Sequence, residues 1–139
     1  MITNTAVAGE GQTIDQIGYA IDNYNGAVLT VNGGTIEGAN KSIWMQDPSK
    51  SANTGTLTVG ENATLNGDVY LTVTAGSTEW PVTVSVAAAA LQGESTVISE
   101  NVPKGYAVKD VDGVYIVDTT LDTSWYNDTD TEFVLMDAK

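Results

Sequence analysis

The sequence predicts an all-β fold made by stacking one structural unit on copies of itself, and three observations predict it. The first is a recurrence. Ala27-Val-Leu-Thr-Val-Asn-Gly-Gly-Thr-Ile-Glu-Gly38 returns as Gly55-Thr-Leu-Thr-Val-Gly-Glu-Asn-Ala-Thr-Leu-Asn-Gly67. Each copy has an alternating Leu-Thr-Val strand, a polar Gly/Asn turn, one apolar residue, and then Gly. Leu29 corresponds to Leu57 and Val31 to Val59 at an offset of 28, and Ile36 to Leu65 and Gly38 to Gly67 at 29. A fixed period in this range is the mark of a stacked repeat. The second is composition: 14 Gly, one Phe and many Thr, Val and Asn favour strands and turns over helices. The third is Asp112-Gly113 between the alternating runs Tyr106–Asp110 and Val114–Val117, a strong hairpin signal.

Taken in order, the chain begins with Ile2-Thr-Asn4 in mid-pattern and turns at Gly9-Glu-Gly11. An extended segment over 14–21 follows, with Tyr19 and Ile21 expected on one face. Asn23-Tyr-Asn-Gly26 is a turn. After the first full unit, Ser42-Ile-Trp-Met45 aligns Ile43 with Ile21 as the strand before the next turn, and 47–54 is a longer polar loop. Asp68–Thr74 alternates Val69, Leu71 and Val73. After the loop 75–81, Val82-Thr-Val-Ser-Val86 with Leu91 and Gly93 makes a third, more degenerate copy. Ala87–Ala90 fits either a helical start or a tight inward corner. Val97-Ile98 is a short strand. From Asp118 the chain is acidic and aromatic. Residues 1–105 are therefore expected to form about three coils, 106–117 a hairpin that closes them, and 118–139 an acidic tail.

A single unit of this kind cannot bury its own apolar face. Stacked at strand spacing of about 4.8 Å, the units line up Leu29 with Leu57 and Val82, Val31 with Val59 and Val84, and Ile36 with Leu65 and Leu91, leaving Thr and Asn outside. Gly33, Gly34, Gly60, Gly67 and Asn66 are expected at corners that need positive φ. The alternative is an antiparallel sandwich joined by hairpins.

The net charge is −13, from 18 acidic residues against five lysines, with no Arg and no His. A phosphate backbone is repelled by such a surface, so nucleic acid is excluded as a partner, and anionic membrane surfaces are disfavoured. No apolar run is long enough to insert into a membrane. The absence of Cys removes both disulfides and thiolate metal sites. Met1-Ile-Thr-Asn-Thr5 has neither the basic nor the apolar region of a signal peptide, and the chain reads as a piece of a longer protein.

Val31-Asn-Gly-Gly-Thr-Ile-Glu-Gly38 and Val102-Pro-Lys-Gly-Tyr-Ala-Val-Lys-Asp-Val-Asp-Gly-Val-Tyr-Ile-Val117 resemble the repeats of large right-handed parallel β-helix proteins on the surface of gut-dwelling bacteria. In those proteins an "nGGtI-G" coil recurs and a "Gy-Vk--dGvY-V" hairpin closes the helix. Thr123-Ser-Trp-Tyr-Asn-Asp128 resembles their linker to a further repeat region. The resemblance covers roughly residues 18 to 128. It implies a short right-handed parallel β-helix, an extracellular or bacterial cell-surface location, and an adhesin-like role without catalysis. The implied partners are a glycan or a host or surface protein, together with the rest of a parent chain or further copies stacked on the open coil ends. A phage fibre or capsid-decoration module is one alternative, and a fragment of a carbohydrate-active enzyme another.

The candidate chemistry is sparse. Lyases of this fold need a basic proton abstractor, and the five lysines read as scattered over loops and the terminus. A hydrolase needs two facing carboxylates, for which Glu37, Asp47, Glu61 and Asp68 are present without a distinctive motif. Asp110-Val-Asp112-Gly113 and Asp128-Thr-Asp130-Thr-Glu132 space acids by two as calcium loops do, yet neither completes the twelve-residue pattern. No cofactor is expected, with calcium at Asp128, Asp130 and Glu132 the one ion to test. Trp44, Trp80 and Tyr70 are the candidate ligand contacts. Trp44 follows the inward Ile43 and so should face outward, as a carbohydrate-stacking ring does.

Overall fold

A computed structural model describes residues 1–5, 7, 9–10, 18–23, 27–46, 55–72, 82–100, 102–103, 107–118, 126–128 and 132–135. For residues 82, 100, 102–103, 107, 109, 117–118, 126–128 and 132–135 it describes the backbone alone. The described chain is all-β. The strands are β1 (Ile2–Asn4), β2 (Tyr19–Asn23), β3 (Val28–Val31), β4 (Gly34–Met45), β5 (Gly55–Val59), β6 (Ala63–Thr72) and β7 (Val82–Ala87), followed by β8 (Val97–Glu100), β9 (Val102–Pro103), β10 (Ala107–Val111), β11 (Val114–Asp118), β12 (Tyr126–Asp128) and β13 (Glu132–Leu135). No helix among the described residues is long and apolar enough to cross a membrane.

Two five-stranded sheets carry the repeat. In the first, β4 lies between β6 and the pair β1 and β2, and β8 follows β6, all in parallel. In the second, β3, β5 and β7 run parallel, and the hairpin β10–β11 adds antiparallel to β7. A third, three-stranded sheet joins β12, β13 and β9.

The pairing follows the sequence repeat. Leu29 sits beside Leu57, and Leu57 beside Val84; Val31 sits beside Val59, and Val59 beside Val86. Ile36 pairs with Leu65, Leu65 bridges to Leu91, and Ile21 pairs with Ile43. The third rung is a correction to the expected alignment: Leu57 pairs with Val84 rather than Val82, and Val59 with Val86 rather than Val84, while Val82 lies beside Gly55. A slip of two residues keeps every side chain on the same face, so alternation alone does not fix it. Parallel strands put residues of one type in line, so the period-2 alternation delivers whole ladders to one side. Val31, Ile36, Ile43, Met45, Leu57, Val59, Leu65, Val69, Leu71, Val84 and Val86 make one buried cluster fed by both sheets. The intervening Thr56, Thr58 and Thr64 are half-buried and Thr30 is exposed.

Several local expectations change. Positive φ occurs at Gly34 and Gly67, whereas Gly33, Gly60 and Asn66 are not in that region; a corner needs one inverted residue, and its neighbours follow in ordinary conformations. Ala88–Ala90 is a single 3-10 turn with Ala90 buried, so both the helical and the inward-corner readings of the alanine run hold in part. Asp112 and Gly113 have φ of 51° and 80° and connect β10 to β11, and the Asp110 carboxylate accepts the Gly113 N–H at 2.9 Å. That carboxylate therefore shapes a hairpin turn. Val73 and the 47–54 and 75–81 loops lie outside the described residues.

The largest irregularity lies in β4. Between Glu37–Asn66 and Lys41–Asp68, three residues of β4 (Gly38 to Asn40) oppose Gly67 alone, and a second shift follows between Lys41 and Ile43. Extra residues in one strand bend it and break the in-out alternation. The Gly18 carbonyl accepts N–H donors from Asn40 and Lys41 at 2.8 and 3.0 Å, which pins the bend to the residue just before β2. The Ser42 hydroxyl, fully buried, donates to the Asp68 carbonyl at 3.2 Å. Because the alternation breaks here, Tyr19 lies beside Trp44 while Ile21 packs on the core, and the common face expected for them is not found.

Candidate functional site

The bend in β4 assembles the most distinctive group of side chains among the described residues. Ile43 and Met45 point to the core, at 0 % and 1 % exposure, so Trp44 between them faces away and is half-buried. Asp22 of β2 and Tyr70 of β6 are its register partners on either side. The Tyr19 ring approaches Trp44 edge-on at 4.9 Å and 66°, and the Tyr70 ring at 6.3 Å and 71°, both favoured aromatic geometries. Three aromatic rings from three consecutive strands thus form a strip across the sheet.

Lys41 completes the strip. Its Nζ lies 4.4 Å from the Tyr70 centroid and 5.6 Å from that of Trp44, while the residue is only 7 % exposed. An ammonium removed from water this far needs compensation, and ring quadrupoles supply part of it. The Trp44 Nε1–H donates to the Thr72 hydroxyl at 3.1 Å, and Gln46 Nε2 donates to Asp22 Oδ1 at 2.7 Å beside it. The strip therefore carries apolar faces with a satisfied polar rim. Replacing Lys41 with Ala is expected to cost about 1–2 kcal/mol, the range for a desolvated cation–π contact. Lys41→Met, which keeps the stem, should cost less in chemical denaturation, and equal costs would mean that the stem contributes nothing and the loss is that of the ammonium alone.

Of the predicted ligand contacts, Trp44 and Tyr70 come together here; Trp80 lies outside the described residues. Tyr19 and Lys41 were missed. The lysines were expected on loops and at the terminus, yet Lys41 lies in β4 and Lys109 in β10. Once the ladder Ile21–Ile43 is drawn, Tyr19 falls opposite Lys41, which is the signal that the sequence did contain. For the proposed calcium loop, Asp130 and the side chains of Asp128 and Glu132 lie outside the described residues. Among the described residues no three acidic side chains gather as a metal site would require. The Asp68 carboxylate accepts the Thr96 N–H at 2.9 Å, and Glu37 is exposed on β4.

Elsewhere, an apolar hollow of about 290 Å³ lies at the β1–β3 end, lined by residues that include Ile2, Ile21, Leu29, Val31 and Ile36. Comparison with protein-family models, curated proteins and solved structures returns no match for this chain.

Proposed function

We propose that the chain is a short right-handed parallel β-helix and serves as a non-catalytic structural segment of an extracellular bacterial surface protein, adhesin-like in kind. The observation that carries this reading is the parallel pairing of successive repeats at equivalent positions, Leu29 to Leu57 to Val84 on one side and Ile36 to Leu65 on another. A stack of this kind turns sequence length into axial length at about 4.8 Å per coil, which is what a spacer or display segment requires. Its strong acidity keeps such a surface soluble and self-repelling.

The test is solution mass by light scattering during size exclusion, with and without Ca²⁺, alongside assays for sugar release from polysaccharides. The expected result is a 14.5 kDa monomer, unchanged by Ca²⁺, that releases no reducing ends. A stable trimer would replace this reading with a phage-fibre module. Released reducing ends would replace it with a carbohydrate-active enzyme.

A further inference from the structure

We propose that the Tyr19–Trp44–Tyr70 strip is a binding site for a neutral glycan chain, with Lys41 as the residue that positions its rings. This does not depend on where the protein resides. Sugars are recognised by stacking their C–H faces on aromatic rings while hydroxyls meet a polar rim, and both parts are present. Trp44 and Tyr70 are half-buried, so each is held by packing and still reaches solvent. The Trp44 indole N–H is already satisfied by Thr72 and Lys41 Nζ lies over the ring, so a ligand meets the part of this half-buried ring that still reaches solvent. Asp22 and Gln46, bonded to each other at the exposed edge beside Trp44, supply acceptor and donor groups for hydroxyls.

Shape and charge narrow the ligand. The strip crosses three strands, so its length is two strand spacings, about 10 Å, the length of a disaccharide unit in an extended chain. A net charge of −13 repels uronic-acid and sulfated polymers. The one ammonium in the strip is directed onto the Tyr70 and Trp44 rings. Lys41 in this position stiffens the rings before ligand arrives, which lowers the ordering cost of binding. Lys41 is thus a positioning residue, and Trp44 and Tyr70 are the contacts.

The experiment uses the whole chain, labelled for NMR, with the Trp44 indole N–H assigned through Trp44→Phe. Cellohexaose, laminarihexaose and mannohexaose are titrated separately, with polygalacturonate and tetramethylammonium as the charged probes. At least one neutral hexaose is expected to shift the Trp44 indole and Lys41 side-chain signals saturably. Tyr70→Ala should weaken that binding about tenfold or more, the effect of losing roughly 1.4 kcal/mol. Thr30→Ala, on the exposed face of the other sheet, should leave it unchanged. Lys41→Met should weaken binding while broadening the ring signals of the free protein, which loss of a direct contact alone would not do. The proposal is overturned if no neutral hexaose shifts the Trp44 indole, if the shifts map elsewhere, or if only polygalacturonate or tetramethylammonium acts. Mapping on the unaltered chain keeps the test decisive even if Tyr70→Ala fails to fold.

Discussion

Gly38→Ala is expected to be among the most damaging single substitutions in this protein, costing about 3 kcal/mol or more, the upper range for overpacking against immovable neighbours. A Cβ at Gly38 would lie 1.7 Å from the Lys41 carbonyl oxygen and 2.9 Å from that of Gly18. Both are backbone atoms, one within the β4 bend and one just before β2, so no side-chain rotation relieves the overlap. The bend must open, and with it the paired donation from Asn40 and Lys41 to Gly18. For a chain of this length the loss corresponds to a fall in Tm of roughly 10 °C.

Two further glycines isolate the cause. At Gly34 φ is +88° but nothing lies within 4 Å of an added Cβ, so Gly34→Ala should cost only the left-handed strain, about 1 kcal/mol. Gly60 has ordinary φ and its nearest neighbour is at 3.8 Å, so Gly60→Ala should fall within about 0.5 kcal/mol of neutral. Thermal and urea denaturation of the three variants read the order directly. A Gly38 variant no weaker than the Gly34 variant would contradict the close approach in the bend.

Leu57→Ala should cost about 3 kcal/mol, within the range for a fully buried leucine that leaves a cavity. Leu57 is 0 % exposed and sits mid-ladder, between Leu29 on one strand and Val84 on the next. Neither neighbour can collapse inward without breaking the parallel pairing, so the void persists. Leu29 occupies the equivalent position on the edge strand β3 and is only half-buried. Leu29→Ala should therefore cost less than half as much. Equal losses at the two positions, measured by urea midpoints at constant slope, would mean that Leu29 is as enclosed as Leu57. Against a total stability of about 5–15 kcal/mol for a domain, the Leu57 change alone removes a large share.

The ladders were legible because a parallel stack sets each residue beside the residue at the same place in the next repeat. Counting 28 from Leu29 to Leu57 is then already a statement about contact, and the Ile36–Leu65 and Ile21–Ile43 pairs follow equally. The Asp112-Gly113 turn was legible for a local reason: two consecutive residues of positive φ suit few others. The candidate site was legible only in halves. Trp44 faces outward because its neighbours are core residues, and Tyr70 follows as its ladder partner. Tyr19 and Lys41 joined them only through the broken alternation around Ser42, which no periodic count contains.

The sequence by itself thus determined the all-β class, the repeat length, the core ladders between the first two repeats and the hairpin, since each depends on alternation, period or a two-residue turn. Only the tertiary structure decided which glycines are irreplaceable, how β4 bends, and that a lysine is drawn under two rings. These depend on where the Gly18 carbonyl and the facing strand β6 come to lie. Backbone groups distant in sequence set the bend, and a register shift between strands is a property of their packing rather than of either strand alone.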